Sequence, residues 1–487
     1  MLYQQLVGYG AIPTKILPSI KNRRKLSLPL VYFWPVMRLS QIAGIFLFYC
    51  LLANITPAVA QDTWSLQRCV DYAMKNSISV KQQEVQKRLS ELTYQQSRLS
   101  IIPNFSANVN AGYSDGRIAS IQDNAYINQS IFNASGQFNM SGDIFNWFSK
   151  RNTIEANRLD AESNSFLLQK ARNDLAFNVA TSFLQILLKN EQLKVNEVQV
   201  KQTMSNLENT RKLVIAGSVP ESNQADLEAQ LAQDSTNLVT ARNDVILSIL
   251  QIKAYLNLSF DIPFAPEIPA NISSLPITPL SEMDPEMVYS AALASYPLAK
   301  SDGLRIKSAM SAYRSAKGQL YPALTIGGGL STSYANNYYD PMTKKLISFG
   351  QQIDNTFNKN IGLGLRIPIF NGYQQRTNVT KAKLNVYNLE LTRDQDNLKL
   401  RQDIYTAHAN AVAALQKYNA SATGVMAAQK AYDFATKRFN LGLMNTIDYI
   451  TTQTKLYKAQ IDKVSAQYDY IFKMKLLEFY RDQKISL

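Results

Sequence analysis

The chain has one histidine, His408, and two cysteines, Cys50 and Cys69, among 487 residues. That inventory removes most side-chain chemistry. A lone histidine leaves no second imidazole and no multi-histidine metal site. His408 also lies in an Ala-rich helical seam, a packing position. The sequence offers no phosphate-binding glycine loop, CxxC or HExxH spacing. No catalytic residue, metal site or cofactor is expected. What remains is placed charge. Asp226 lies nine residues after Gly217, and Lys437 and Arg438 lie just before Gly442. An ion pair between Asp226 and Lys437 or Arg438 is one expectation, and three solvated helix charges are the other. Asp448 falls where a carboxylate favours the positive end of a helix dipole.

These charges sit on two turns, and the turns reveal the architecture. In the stretch Lys437–Thr452, Asn440, Gly442 and Asn445 interrupt two long segments with few breakers. Asn and Gly tolerate the left-handed backbone that ends a helix. The stretch reads as the tip of a helical hairpin. Lys212–Leu227 reads the same way, with Gly217 lying 225 residues before Gly442 (442 − 217). Two such tips make the chain a duplication of one unit.

The first 60 residues are set apart. Arg38, the apolar run Ile42–Ala53 and the small residues Ala58 and Ala60 read as a secretory signal cleaved after Ala60, with Met37 as the expected start. A longer basic leader is the alternative. The leader carries six basic and no acidic residues, so the formal charge of +14 falls to +8 after cleavage. The remaining Lys and Arg are mixed with Asp and Glu along the helical stretches, a solvated surface with no nucleic-acid footprint. Cys50 leaves with the signal, Cys69 is then alone, and no lipid-anchor cysteine stands at the cleavage point. The expected divisions are 1–60 leader, 61–258 first repeat, 259–285 Pro-rich linker and 286–487 second repeat.

Each repeat carries helix, two strands, a long helix, a tip and a returning helix. After helix 64–100, the period changes from near four to two. Phe105, Ala107, Val109, Ala111 and Tyr113 alternate with Ser106, Asn108, Asn110 and Gly112. A loop is expected from Asp115 to Asn124, then a second alternating run with Phe132, Ala134, Phe138 and Met140. In the second repeat, helix 287–319 precedes a strand with Leu324, Ile326 and Leu330. A loop from about Asn336 to Asn358 leads to a strand with Ile361, Leu363, Leu365 and Ile367. The long segments 149–216 and 374–440 lack proline, and each would span about 100 Å as unbroken helix.

Strands of about ten residues with one apolar and one polar face suit a lipid bilayer. Phe145, Trp147, Phe148, Phe370 and Tyr373 follow the second and fourth strands, where interfacial aromatics belong. Four strands cannot close a barrel, and an open edge is not viable in lipid. Three copies would supply twelve strands. A soluble α+β protein and a secreted structural coiled coil or adhesin are the alternatives.

Three local motifs in register with this order resemble the TolC family of outer-membrane efflux proteins over essentially all of residues 62–487. They are Ser295-Tyr296-Pro297-Leu298, Ile369-Phe370-Asn371-Gly372, and Arg438-Phe439-Asn440-Leu441-Gly442 followed by Asp448. The resemblance implies an α/β membrane protein built from a duplicated unit. Each of three copies would give four strands to a trimeric twelve-stranded outer-membrane β-barrel, continued by a long coiled-coil periplasmic tunnel. It implies a homotrimer, a periplasmic adaptor gripping the tips, an inner-membrane RND or ABC pump, and contact with outer-membrane lipid. Adaptor contacts would fall on Gly217, Ser218, Val219, Gly442, Leu443 and Met444. The family often narrows its periplasmic mouth with two acidic residues three apart. Asp448 matches the first, and the second position holds Thr451. The implied function is a passive exit duct for small molecules in a tripartite efflux system of a Gram-negative bacterium. A duct for type I polypeptide secretion is the alternative.

Overall fold

The computed structural model describes residues 63–120, 125–267 and 279–483. The leader with its cleavage point and the middle of the Pro-rich linker lie outside the described residues. In chain order the elements are α1 (Leu66–Asn76), α2 (Ile78–Leu99), β1 (Asn104–Ser120), β2 (Ala125–Phe145), α3 (Ser149–Ile215) and α4 (Glu221–Leu256). The second half has α5 (Pro285–Ser295), α6 (Pro297–Gly318), β3 (Ala323–Ala335), α7 (Phe349–Thr356), β4 (Asn358–Arg366), α8 (Gln374–Asn440) and α9 (Thr446–Asp482).

Both proline-free segments are single helices of 67 residues, each about 100 Å long by helix rise. The helix expected over 64–100 is broken at Ser77, whose non-helical backbone ends α1 and stands just before α2 without a side-chain capping bond. The helix expected over 287–319 is broken at Tyr296, because Pro297 has no N–H to continue the ladder and instead starts α6.

Helix α3 packs against α2, α4 and α6, and α8 against α6 and α9. Small polar residues let α3 and α6 approach closely. Ser163 and Ser301 meet hydroxyl to hydroxyl at 2.8 Å, Ser149 and Ser315 at 3.0 Å, and Ser308 donates to the carbonyl of Ala156 at 2.8 Å. One apolar cluster contains Trp64, Val179, Phe183, Ile186, Ile252, Leu256, Tyr468 and Ile471; another contains Met283, Val288, Ile404, Met474 and Leu477. Helix α9 enters both clusters and so ties the two halves together. Each large side chain buried there contributes roughly 1.5–3 kcal/mol. Cys69 lies fully buried in the first cluster, and burial pushes its thiol up to about 12.

The four strands form one antiparallel sheet in sequential order, β1-β2-β3-β4. They make their main contacts with one another and with α7, so strands and helices are segregated along the molecule. The register aligns like with like. Phe105 pairs Met140, Met140 pairs Gly328 and Gly328 pairs Ile361; Leu324 pairs Leu365 and Ile326 pairs Leu363. On the opposite face Ser106, Asn139, Gly329 and Asn360 form one row. The apolar face is uncovered: Val109 is 83% exposed, Leu363 70% and Ile361 78%.

The first hairpin is longer than its alternation suggested. Asp115 and Gly116 are ladder residues paired with Ser130 and Gln129, and pairing continues to Ser120 and Ala125. The 17- and 21-residue strands therefore run past the apolar band. Ile367 lies beyond β4. The expected loop 336–358 contains α7, which occupies the edge of β3 where β4 stops. The hydroxyl of Thr356 accepts from the N–H of Ser333 at 2.9 Å and donates to its carbonyl at 2.8 Å, and the side-chain oxygen of Gln352 accepts from the N–H of Ala335 at 2.9 Å. Helix side chains here satisfy edge groups that a strand would otherwise pair. The outer edges of β1 and β4 have no strand partner among the described residues.

Candidate functional site

The two tips share one backbone device. After α3, Gly217 (φ 69°) donates to the carbonyl of Val214 and Ser218 donates to that of Leu213, each at 2.9 Å. After α8, Gly442 (φ 70°) donates to Phe439 at 3.0 Å and Leu443 to Arg438 at 2.8 Å. This paired closure satisfies the last carbonyls of a helix and requires a left-handed residue, which glycine supplies without strain. Gly217, Ser218, Gly442 and Leu443 are exposed, and Val219 and Met444 half-buried.

The returning helices start differently. Pro220 precedes α4 with no side-chain cap. Asn445 caps α9: its side-chain oxygen accepts from the N–H of Asp448 at 2.7 Å, and its amide donates to the carboxylate of Asp448 at 2.7 Å. Asp448 is thus fixed in the first turn, where the helix dipole favours it. Asp448 and Thr451 are both exposed, while Tyr449 and Gln453 face inward. The pairing of Asp226 with Lys437 or Arg438 does not form within the chain. The guanidinium of Arg438 reaches the carbonyl of Leu443 at 3.4 Å, and the ammonium of Lys437 lies 5.9 Å from the ring centre of Phe434.

Behind the tips lies a feature that the sequence reading missed. Asn196, Gln199, Thr203, Asn206 and Thr210 step along α3 by three and four, the spacing of a coiled-coil seam. All are buried except the half-buried Asn206. Asp234 of α4, 3% exposed, accepts from Thr203 at 2.7 Å, Gln199 at 3.1 Å and Gln230 at 2.8 Å. Three bonds cross to α9: Gln453 donates to Thr203 at 3.0 Å, Asn206 to the hydroxyl of Tyr449 at 3.0 Å, and Tyr457 to Asn196 at 2.9 Å. Tyr449 stacks on Phe439 at 4.4 Å and shares a 2.7 Å hydroxyl bond with Tyr432. Burial, and then that bond, push the Tyr449 phenol above its ordinary range. Among the described residues, the buried Gln453 Oε1 and Thr446 Oγ1 lack partners. The seam is specific but incompletely satisfied. Its signal was polar residues at helical spacing, which resemble a solvated face until a partner helix covers them.

At the sheet end, both strand-to-helix reversals use left-handed residues, Trp147 and Phe148 before α3, and Gly372 and Tyr373 before α8. The expected interfacial aromatics gather there. Phe145 lies 5.5 Å from Trp147 and 5.8 Å from Phe148, Trp147 lies 4.8 Å from Tyr321, and Phe370 lies 6.1 Å from Tyr373. The Trp147 indole donates to the carbonyl of Pro322 at 2.8 Å. All five expected aromatics are exposed within the chain, Phe370 at 78%. No described helix is long and apolar enough to cross a membrane.

Two long helical hairpins joined to an amphipathic, open-edged sheet define the architecture. Residues 70–258 and 288–473 match the family described as outer membrane efflux protein, and the chain belongs to that family. It is 23% identical over 389 residues to the outer membrane protein TolC of Escherichia coli strain K12, covering 77% of this chain and 73% of that one. It is 21% identical over 426 residues to toxin and drug export protein A of Aggregatibacter actinomycetemcomitans, covering 85% and 86%. Its fold is similar to the CmeC outer membrane channel of Campylobacter jejuni, with a TM-score of 0.71, 16% identity and coverage of 86% of each chain.

Proposed function

We propose that three copies of this chain form a passive duct through the outer membrane of a Gram-negative bacterium, with the helices extending as a tunnel into the periplasm. The carrying observation is the open-edged sheet, with one face apolar and uncovered and the other polar. Lipid covers the first and a water-filled lumen the second. Two helix faces support the same closure. Ile78, Val85, Leu89, Leu92 and Leu99 are exposed along α2, which leads into β1; Leu384, Tyr387, Leu391, Leu398 and Tyr405 are exposed along α8, which leaves β4. Both sets follow seven-residue spacing. The α2–β1 flank of one copy meets the β4–α8 flank of the next, a head-to-tail contact that closes as a ring. Three copies give twelve strands.

The tips then lie about 100 Å from the sheet, at the periplasmic mouth. Gly217, Ser218, Val219, Gly442, Leu443 and Met444 contact a periplasmic adaptor there, and an RND or ABC pump in the inner membrane supplies the energy. Asp448 and Thr451 line the aperture, giving three carboxylates per ring. The chain itself catalyses no reaction. Relatives named for efflux and for toxin and drug export support the duct reading. The test is isolation of the protein from washed outer membranes with its native adaptor. Retention through carbonate washing with adaptor captured is expected. A chain stripped by carbonate, with no adaptor, would contradict the proposal.

A further inference from the structure

The polar face of the sheet is built from Asn, Ser, Gln, Thr and Gly along most of its height. Among the described strand residues, charge appears on that face only at the end nearest the long helices, at Asp143 and Arg366. The two differ in their partners. The carboxylate of Asp143 pairs with Lys150 at 3.2 Å and accepts from Asn146 at 3.4 Å, and Lys150 also donates to the carbonyl of Ser100 at 2.9 Å. Arg366 is exposed, and its guanidinium makes no ion pair or hydrogen bond among the described residues. It lines a cavity of about 490 Å³ together with Asp143, Asn146, Lys150 and Gln375. The pair Asp143–Lys150 is neutral, so the cavity carries one uncompensated positive charge. Gln375 belongs to the first turn of α8, which has no side-chain cap, so the positive end of that helix adds to the field.

We infer that this junction is an anion site: Arg366 binds carboxylate or phosphate groups of molecules passing from the tunnel into the barrel. The inference rests on the duct reading, which makes the polar face a lumen wall. A guanidinium offers two parallel N–H donors to a planar or tetrahedral anion. Three copies set three such groups around the lumen, and a ring of arginines selects anions in a water-filled pore. The volume suits a small acid or a terminal acidic group of a larger cargo.

The test uses the purified full assembly in planar bilayers, with a potassium chloride gradient and with citrate as the probe anion. Arg366→Gln is expected to lower the anion-to-cation permeability ratio by about ten-fold at low salt and to abolish block by citrate. Arg366→Lys keeps the permeability ratio but weakens citrate block, since the paired donors are lost. Asp143→Asn frees Lys150 and raises anion preference, which tests the site without touching Arg366. Arg366→Gln channels with wild-type reversal potential and citrate sensitivity would overturn the site while leaving the duct intact. Wild-type protein without conductance would overturn the duct reading, and this inference with it.

Discussion

The two ends of the long helices place polarity in opposite ways. At the sheet end, Leu363, Ile361 and Val109 point outward uncovered, and Asn and Ser side chains occupy the other face. At the tip end, Asn196, Gln199, Thr203 and Asp234 are buried between helices. The contrast shows what each surface meets. An apolar face left bare on a sheet marks a surface that something other than water covers, and in the proposed duct that cover is lipid. A polar seam between helices gives geometric specificity with modest net stabilisation, since its bonds replace bonds to water. In between, the apolar clusters around Phe183 and Met474 supply the firm packing. Firm apolar packing therefore lies in the middle of the helices, and a polar, incompletely satisfied seam lies behind the tips.

The strongest way to break this contrast is to charge the bare face. Leu363→Lys is expected to cost about 2–4 kcal/mol per copy at mid-membrane and to cut the yield of heat-modifiable oligomer. The matching change Asn360→Lys, on the polar face, is expected to leave that yield unchanged. Equal yields from both would remove the lipid-facing assignment.

Much of this was legible before the structure. Gly217 marked the first tip and Asn440, Gly442 and Asn445 the second, and the long helices ended close to where breakers stood. Strand alternation named the apolar face, and the register confirms that its rows align. Three things were not legible. Asp115 and Gly116 carry turn chemistry, yet sit in a ladder, because a long two-stranded ribbon tolerates small polar residues on both faces. Helix α7 is set by a tertiary task, satisfying the β3 edge through Gln352 and Thr356. The seam at Asn196–Thr210 was hidden because period alone does not distinguish a solvated stripe from a buried polar one. The ion pair expected of Asp226 is absent within one chain, where the Arg438 guanidinium reaches the carbonyl of Leu443 instead.

A smaller effect probes the seam. Asp234→Ala leaves three donors unpaired, Gln199, Thr203 and Gln230, and is expected to destabilise the tip region by about 3 kcal/mol. Limited proteolysis should then cut near residues 196–234 while the sheet end stays protected. Uniform sensitivity along the molecule would contradict local weakness at the tips. Gly442→Val forces a branched side chain into a left-handed backbone, a strain of roughly 1–3 kcal/mol. Adaptor capture should fall with oligomer yield unchanged, and unaltered capture would remove Gly442 from the contact. Smallest of all, Tyr449→Phe deletes one hydroxyl from the seam and should cost about 1 kcal/mol, read as a slightly lower unfolding midpoint. No change in that midpoint would mean that the bond from Asn206 is replaced by water.

In the proposed channel, β1 of one copy pairs with β4 of the next until twelve strands close. Native mass spectrometry of the detergent-extracted protein tests it most directly. A particle of three chains that persists until heated is the expected result. A particle of one chain, stable with both sheet edges open, would contradict it.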